Sequence, residues 1–385
     1  MRVLIATTSG TGHIYPVVPI ARALRDAGHE IVRATAAGSC SVVERFGFTV
    51  RAAGMNGDER QAHFLQRHPE VFSVAPRERR AIFFPGLFAE LAAPVMAADL
   101  VAVFDEVRPD VVVHEVAELG SGPLATIRGL PCIVVGFSGV LPAAIVDSAV
   151  RAVSPLWDSL GCWVPSDLGL YAHAYLHPLP PMLGQRSSAA AVQDVRPVPA
   201  DGYGLSPDWL NRLGTERPLV YLTYGTEVAQ IAPWRVLLHA LAGQDIDAVV
   251  TTGSSVDLSD LISELPNRAR SRIHVRSYVP QSSVLARASV VVSHGGAGTV
   301  FAAGATGIPQ VVLPVAADQF DNADALAAAG VAVSLDVAGA DPDVLAAHID
   351  HQITDSKVRA RAGELAQQFA AMPHPDEVVA AILAP

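Results

Sequence analysis

The sequence is poor in cysteine, in charge and in basic residues, and each shortage excludes a class of protein. Its three cysteines, Cys40, Cys132 and Cys162, are far apart and form no C-x-x-C pair, which argues against a disulfide framework or a structural zinc. Only 17% of the 385 residues are charged, and 27 Lys and Arg stand against 38 Asp and Glu. This acidic balance disfavours nucleic acid and anionic membranes as partners.

Leader-like and membrane-spanning patterns are also missing from the sequence. The N-terminal MRVLIATTSGTGH has no long apolar stretch of the signal-peptide kind, and we find no apolar run near the roughly 20 residues that span a bilayer. Tight Asp-x-Asp patterns occur only at 245–247 and 341–343, where turn and capping roles explain them. We therefore expect a cytoplasmic protein that uses neither a membrane nor a metal.

What is present is an α/β pattern large enough for two domains. Strand-like apolar runs alternate with helical stretches, which predicts parallel βαβ units. The predicted strands are Arg2–Thr8, Ile31–Thr35, Asp110–His114, Pro131–Gly136, Leu219–Tyr224, Asp247–Thr252, Ile273–Val275, Val290–Ser293 and Gln310–Leu313.

The alternation stops and restarts once, at a stretch rich in Pro and Gly. We predict a domain at 1–200, a linker at 201–218 and a second domain at 219–370. In folds of this class ligands bind at the carboxyl ends of the strands, so we expect a site in the cleft between the domains.

The most specific segment is HGGAGT at 294–299, which follows a strand and precedes a helix. Glycines at such a turn let backbone N–H groups approach a ligand, and the helix N-terminus carries a partial positive charge. We interpret Gly296, Ala297 and Gly298 as a diphosphate site, with His294 and the Thr299 hydroxyl as further donors. The alternative is a tight turn that needs glycine only for its backbone.

Five motifs in order resemble the GT-B glycosyltransferases of family 1, above all bacterial enzymes that decorate polyketide and macrolide-type natural products. They are GTGHIYPVVPIARAL near the N-terminus, YLTYGT at 221–226, YVPQ at 278–281, HGGAGT and DQFDN at 318–322. The resemblance implies two Rossmann-like domains facing across a cleft, with a C-terminal helix, 371–385, returning to the first. It also implies a TDP-sugar as co-substrate, with no cofactor or metal.

Carried over by position, the resemblance assigns the donor contacts. Tyr278 would stack on the nucleobase and the backbone of Val279 would bind its edge. Thr226 would contact the diphosphate, and Asp318 and Gln319 would hold the hydroxyls of the sugar. Simpler roles remain open: a strand-end aromatic for Tyr278, and helix caps for Thr226 and Asp318.

One position bears on the nucleotide. Plant relatives that use UDP-sugars carry a Glu eight residues after the motif His, where it binds the ribose hydroxyls, and here that residue is Ala302. Without an acidic group for a 2′-hydroxyl, a deoxyribose nucleotide such as TDP fits better than UDP.

The resemblance places His13 as the general base that deprotonates the acceptor. His13 lies at a helix start just before Pro16, where the helix dipole disfavours the imidazolium. Relatives pair this His with an acidic residue, often Asp, and the matching position here is Glu115. A solvated strand-end carboxylate is the alternative for Glu115.

For the acceptor we predict contacts with Gly12, Phe64 and Phe84, the two phenylalanines coming from an aromatic-rich helical region at 56–105. The predicted activity is inverting transfer of a deoxysugar from a TDP-sugar to a small apolar aglycone, by a monomer or a homodimer. Two alternatives remain: a nucleotide-sugar epimerase on the same fold, and a non-catalytic TDP-binding partner of another transferase.

Overall fold

In the computed structural model, which describes residues 1–184, 186–200 and 206–383, the chain forms two units. Unit 1 consists of Met1–Leu179, Gln185–Arg196 and Met372–Pro385, and unit 2 of Pro180–Gly184 and Pro197–Ala371. The helix Pro375–Ile382 thus belongs to unit 1, although the chain reaches it from unit 2.

Unit 1 is built on a parallel sheet in the order β3-β2-β1-β4-β5-β6-β7. Its strands are β1 Arg2–Ala6, β2 Glu30–Thr35, β3 Thr49–Ala52, β4 Val111–Glu115, β5 Cys132–Val135, β6 Ala174–His177 and β7 Val192–Asp194. The central strands are mostly apolar and buried, as expected for a parallel sheet with helices on both faces. On one face, Leu4 and Val112 pack against Met96, Leu100 and Phe104 of a long helix.

The α-helices of unit 1 are Thr11–Ile14, Val18–Asp26, Cys40–Glu44, Gly57–Arg67, Arg80–Phe83, Ala93–Val107, Ser121–Ile127, Ala143–Ser159 and Pro375–Ile382. A π-helix, Phe84–Ala92, joins two of them, and short 3-10 helices lie at Tyr15–Val17, Ala37–Ser39 and Pro69–Ser73.

Unit 2 has the same architecture, with a parallel sheet in the order β10-β9-β8-β11-β12-β13. Its strands are β8 Leu219–Thr223, β9 Asp247–Thr251, β10 Ile273–Arg276, β11 Val290–Ser293, β12 Gln310–Val312 and β13 Ala332–Ser334. Its helices are Pro181–Leu183, Asp208–Asn211, Ala229–Ile231, Trp234–Ala242, Ser259–Glu264, Asn267–Arg270, Gln281–Leu285, Ala297–Ala305, Gln319–Ala328, Val337–Gly339, Pro342–Thr354 and Ser356–Ala371.

All nine strands predicted from the sequence are present, and the prediction of two Rossmann-like units is confirmed. The prediction missed β3, β6, β7 and β13. These strands have three or four residues, and β3 and β13 lie at sheet edges and are only partly buried. A short, half-exposed strand does not produce the long apolar run by which the others were recognised.

The predicted linker at 201–218 needs correction. Residues 201–205 lie outside the described part of the chain, but the rest of the segment belongs to unit 2. There Leu210 is fully buried, and the Arg287 side chain donates hydrogen bonds to the carbonyls of Leu210 and Leu213. Residues 206–218 are therefore packed onto unit 2 and do not form a free linker.

The expectation that no apolar helix is long enough to span a membrane also needs correction. The continuous helical stretch Arg80–Val107 has 28 residues and a window with mean hydropathy of 1.9. More than half of that window, 56%, is buried within the protein. Packing against the sheet accounts for an apolar composition here, as in the core helices of many soluble proteins.

Candidate active site

In unit 1 the predicted catalytic pair lies where the strand order reverses. β1 has β2 on one side and β4 on the other, and loops at the carboxyl ends of such strands diverge to leave a crevice. The chain leaving β1 forms the short helix Thr11–Ile14, which carries His13, and Glu115 ends β4. Pairing of β1 with β4 therefore brings the two side chains together.

The two side chains make a buried contact. Nδ1 of His13 lies 3.2 Å from Oε1 of Glu115, which is fully buried, and Nδ1 has no other partner among the described residues. Thr8 donates to the same Oε1 through its hydroxyl at 3.0 Å, and Ala117 N–H donates to Oε2 at 2.5 Å. Burial raises the pKa of Glu115, but His13, Ala117 and Thr8 lower it more, so the carboxylate stays ionised.

Two aromatic rings flank the His13 imidazole. Phe88 meets it edge-on with centroids 5.2 Å apart, and Phe137 does so at 5.3 Å. Phe88 lies on the π-helix Phe84–Ala92, a rare geometry that often occurs at functional sites. Gly12, next to His13, is exposed, and a Cβ added there would meet no atom within 4 Å. Phe88 and Phe137 therefore surround His13, and no sequence pattern predicted the role of Phe137.

Phe64 and Phe84, the predicted acceptor contacts, are both buried. Phe64 is fully buried in a cluster with Met55 and Val71, and Phe84 is 6% exposed in another core cluster. The aromatic-rich segment mostly builds the core, because the residues on one face of each helix point inward. Phe88 comes from the same segment and is the ring that reaches His13.

A second buried carboxylate, Glu118, follows the catalytic strand and was not predicted. It accepts hydrogen bonds from the N–H groups of Gly120 and Ser121 and from the Ser121 hydroxyl, so it fixes the turn after β4. His114, on the strand itself, lies with Nδ1 2.9 Å from the Glu115 carbonyl. Burial lowers the pKa of His114, but Cys132 and Glu118 raise it to about 10. His114 thus contacts the Glu115 carbonyl and Glu118 fixes the turn that follows, so both residues support the backbone position of Glu115.

In unit 2 two of the predicted donor segments, Thr226 and the glycine loop, lie at the equivalent reversal, between β8 and β11. Thr226 is in the turn after β8, and the glycine loop follows β11. The two strands pair in register, with Ser293 opposite Thr223. Thr226 is exposed and precedes no helix directly, so the alternative of a helix cap does not apply to it.

The glycine loop is packed too closely for side chains at two of its positions. Gly295 has a φ of 89°, and a Cβ there would lie 2.8 Å from Val312. At Gly296, which caps the helix Ala297–Ala305, a Cβ would lie 2.4 Å from Nε2 of His294. At Gly298 a Cβ would meet no protein atom within 4 Å. The first two glycines are required by the protein's own packing, but Gly298 is not.

His294 is a neutral side chain at pH 7. Its ring lies 5.8 Å from the ring of Tyr224. Burial lowers the pKa of His294 to about 4, although the Asp318 carboxylate and a backbone hydrogen bond with Thr223 act in the opposite direction. A neutral imidazole can still donate one N–H to an anion, as predicted, but it adds no charge.

Thr299 accepts a hydrogen bond from Gln281, a residue to which the sequence-based predictions assign no role. Nε2 of Gln281 donates to the Thr299 hydroxyl oxygen at 3.1 Å. Because this oxygen accepts from an amide, its own proton is directed elsewhere, as a phosphate donor requires. The sequence does indicate that Gln281 is near the donor site, because it is the last residue of the YVPQ motif.

The two residues predicted to contact the nucleobase differ in exposure. Tyr278 is 63% exposed and Val279 is buried in the core of unit 2. An exposed ring beside a buried backbone position is the arrangement that stacking and edge contacts need.

Asp318 and Gln319 lie at the start of the helix Gln319–Ala328, after β12. Asp318 is in the cap position but makes no capping hydrogen bond with its side chain, so its carboxylate serves another partner. Oε1 of Gln319 accepts from the N–H groups of Val315 and Ala316, both at 2.9 Å. Its Nε2 amide is then the group that can donate to a ligand.

Within the described ranges, no three His, Cys, Asp or Glu side chains are grouped so as to hold a metal ion. A shallow cavity of about 500 Å³ opens at the other end of the unit 1 strands, where Arg2 begins β1. Ligands of doubly wound sheets bind at the carboxyl ends, so this cavity is not the active site.

Comparison with known proteins gives consistent results across the chain. The model of the family "Erythromycin biosynthesis protein CIII-like, C-terminal domain" matches residues 235–384. The L-demethylnoviosyl transferase of Streptomyces niveus is 30% identical over 100% of this chain and 98% of its own length.

Solved structures show the same fold. The glycosyltransferase VinC, in complex with DTDP, superposes with a TM-score of 0.81 at 24% identity, covering 100% of this chain and 98% of its own. The spinosyn rhamnosyltransferase SpnG, complexed with thymidine diphosphate, gives 0.77 at 26% identity over 99% of this chain and 100% of its own.

The fold and these relatives define a glycosyltransferase of the GT-B class. More closely, the chain belongs to the bacterial natural-product glycosyltransferases that act in antibiotic biosynthesis, and it is a hexosyltransferase. The comparisons do not favour the epimerase or the non-catalytic partner.

Proposed function

We propose that the protein transfers a deoxysugar from a TDP-sugar to a small apolar natural-product acceptor, with inversion at the sugar's C1. The observation that carries the proposal is the buried contact between His13 and Glu115 at the end of β4. The roles of both residues are part of the proposal.

In this mechanism the Glu115 carboxylate accepts from Nδ1–H of His13 and so fixes the tautomer that leaves Nε2 basic. Nε2 takes the proton of the acceptor's nucleophilic group, which bonds to C1 as the C1–O bond to the diphosphate breaks. One displacement from the opposite side inverts C1. The Glu115 carboxylate then stabilises the imidazolium that has formed.

Unit 2 would bind the donor. The N–H groups at Gly296, Ala297 and Gly298 and the Thr299 hydroxyl would meet the diphosphate, with Thr226 and neutral His294 as further donors. Asp318 and the Nε2 amide of Gln319 would bind the sugar hydroxyls. These groups would stabilise the negative charge that develops on the leaving diphosphate, without a metal.

Two features favour TDP. Ala302 supplies no carboxylate for a ribose 2′-hydroxyl, and SpnG, at 26% identity, binds thymidine diphosphate. The exposed Tyr278 ring and the backbone of Val279 would hold the base.

The aromatic rings beside the proposed general base, His13, support an apolar acceptor. Phe88 and Phe137 present ring edges and faces next to His13, and Gly12 leaves the space beside it open. An apolar aglycone would bury surface against both rings, which is the main source of affinity for such ligands.

The test is calorimetric binding of TDP and UDP to the purified chain, followed by turnover of TDP-sugars with polyketide-type acceptors. We expect TDP to bind more tightly than UDP, and Ala302→Glu to shift the preference towards UDP. A wild-type preference for UDP would refute the nucleotide assignment. Nucleotide binding with no turnover by the single chain would refute the catalytic proposal in favour of a binding partner.

A further inference from the structure

Asn322, in the first turn of the helix Gln319–Ala328, connects the two donor loops of unit 2. It is 3% exposed. Its Nδ2 amide donates to the carbonyl oxygen of Gly295 at 3.0 Å and to Oδ2 of Asp318 at 3.2 Å. We call these two hydrogen bonds the Asn322 bridge. It joins the glycine loop after β11 to the loop after β12.

The first hydrogen bond sets the direction of a backbone donor. A trans peptide is planar, so its C=O and the following N–H point in opposite directions. By holding the Gly295 carbonyl inward, Asn322 turns the Gly296 N–H outward, at the N-terminus of the helix Ala297–Ala305. The peptide has little freedom, since a Cβ at Gly295 would lie 3.0 Å from the carbonyl oxygen of Gln319.

The second hydrogen bond orients a carboxylate. Asp318 does not use its side chain to cap the helix, and Oδ2 accepts from Asn322. An exposed aspartate would sample several rotamers, and immobilising it on binding would cost conformational entropy. A carboxylate already held by a buried amide avoids part of that cost.

We infer that Asn322 is a positioning residue for the donor: it aims the Gly296 N–H at the diphosphate and the Asp318 carboxylate at the sugar, without touching either. This inference rests on the donor site proposed above. It predicts that one buried amide controls both nucleotide affinity and use of the sugar.

The test compares Asn322→Asp and Asn322→Ala with a matched control, Asn267→Asp. Asn267 is exposed at the start of another helix of unit 2, Asn267–Arg270. TDP and UDP binding is measured by calorimetry, melting temperature by circular dichroism, and kcat and KM with TDP-glucose. Asp318→Ala serves as a variant that loses the proposed sugar contact and the hydrogen bond from Asn322 to Asp318, but keeps the hydrogen bond from Asn322 to Gly295.

We expect both Asn322 variants to bind TDP about 10-fold more weakly, because a hydrogen bond that orients an anion's donor is lost. Asp318→Ala should keep TDP affinity within about twofold and lose kcat/KM, and Asn267→Asp should match the wild type. In the Asp318→Ala background, Asn322→Ala should still weaken TDP binding.

Wild-type TDP affinity in either Asn322 variant would overturn the inference, whatever its melting temperature. If Asn322→Asp does not fold, Asn322→Ala decides. A merely structural role would lower the melting temperature and leave the affinity of the folded protein unchanged. A wild-type protein that binds neither TDP nor UDP would overturn the proposed function together with the Asn322 bridge.

Discussion

The two units reverse their strand order in the same way, yet they place different chemistry at the reversal. At the ends of β1 and β4, unit 1 has an ionised, fully buried carboxylate against an imidazole. At the ends of β8 and β11, unit 2 has glycines, a helix N-terminus and a histidine that burial keeps neutral.

The difference teaches how one fold serves two tasks. In the proposed mechanism His13 is a proton acceptor, which needs a charged partner that stabilises its protonated form, and Glu115 would supply that charge. The proposed anion site of unit 2 needs close backbone approach and no fixed cation, which the glycine loop would supply. If this division is correct, each unit can be damaged without harming the task of the other.

The largest effect should come from His13→Ala. We expect kcat to fall by about 10²–10⁴, because a general base contributes that much, while TDP affinity stays within about twofold. Steady-state kinetics and calorimetry on the same preparation measure both quantities. Near-normal turnover would remove His13 from the mechanism, and loss of TDP binding would break the separation of the units.

The next effect tests unit 2 through a glycine that the protein's own packing does not require. A Cβ at Gly298 would meet no protein atom, so Gly298→Ala should fold normally. If the diphosphate passes over this position, the methyl group would block it, and TDP affinity should fall at least about 10-fold.

The matched control is Gly363→Ala, in the helix Ser356–Ala371, where a Cβ also meets no atom within 4 Å. Each substitution should be neutral or stabilise its helix by roughly 0.5–1 kcal/mol. Unchanged TDP affinity in Gly298→Ala would place the diphosphate elsewhere.

A smaller effect tests the neutral state of His294 through the pH dependence of stability. Burial lowers the pKa of His294 to about 4, whereas an unfolded histidine titrates near 6.5. Between these values the unfolded chain binds more protons, so stability falls as the pH falls. From pH 7 to pH 5 His294 should cost about 2 kcal/mol of unfolding free energy.

Urea unfolding of the wild type and His294→Gln at both pH values measures this loss, which the variant should lack. Glu115, whose pKa is lowered, contributes stability above its unfolded pKa that is lost only at more acidic pH. Equal pH dependence in the wild type and the variant would show that His294 is not buried in its neutral form.

The sequence predicted the central strands and the glycine turns that follow them, because long apolar runs and glycine turns have local signatures. The strand order, and with it the reversal points, came from the structure. The contact between His13 and Glu115 could be predicted only through the resemblance, because it depends on the pairing of β1 with β4. Phe64 and Phe88 share one helical segment, and composition alone does not tell which ring faces the core. Glu118 was missed because a buried polar residue in a turn has no periodic signal. Asn322 is the last residue of the DQFDN motif, but the sequence does not show that its side chain contacts Gly295.

The smallest expected effect concerns metal ions and tests whether the diphosphate site of unit 2 works without a fixed positive charge. If backbone N–H groups, Thr226 and Thr299 take up the leaving diphosphate, chelation with EDTA should change kcat by no more than about twofold. The assay is turnover of the wild type with EDTA, with magnesium and with neither. A rate that collapses in EDTA and returns with magnesium would mean that dipoles alone do not suffice. Neutral His294 would then be a reason for that deficit, because unit 2 would lack a fixed positive charge where one is needed.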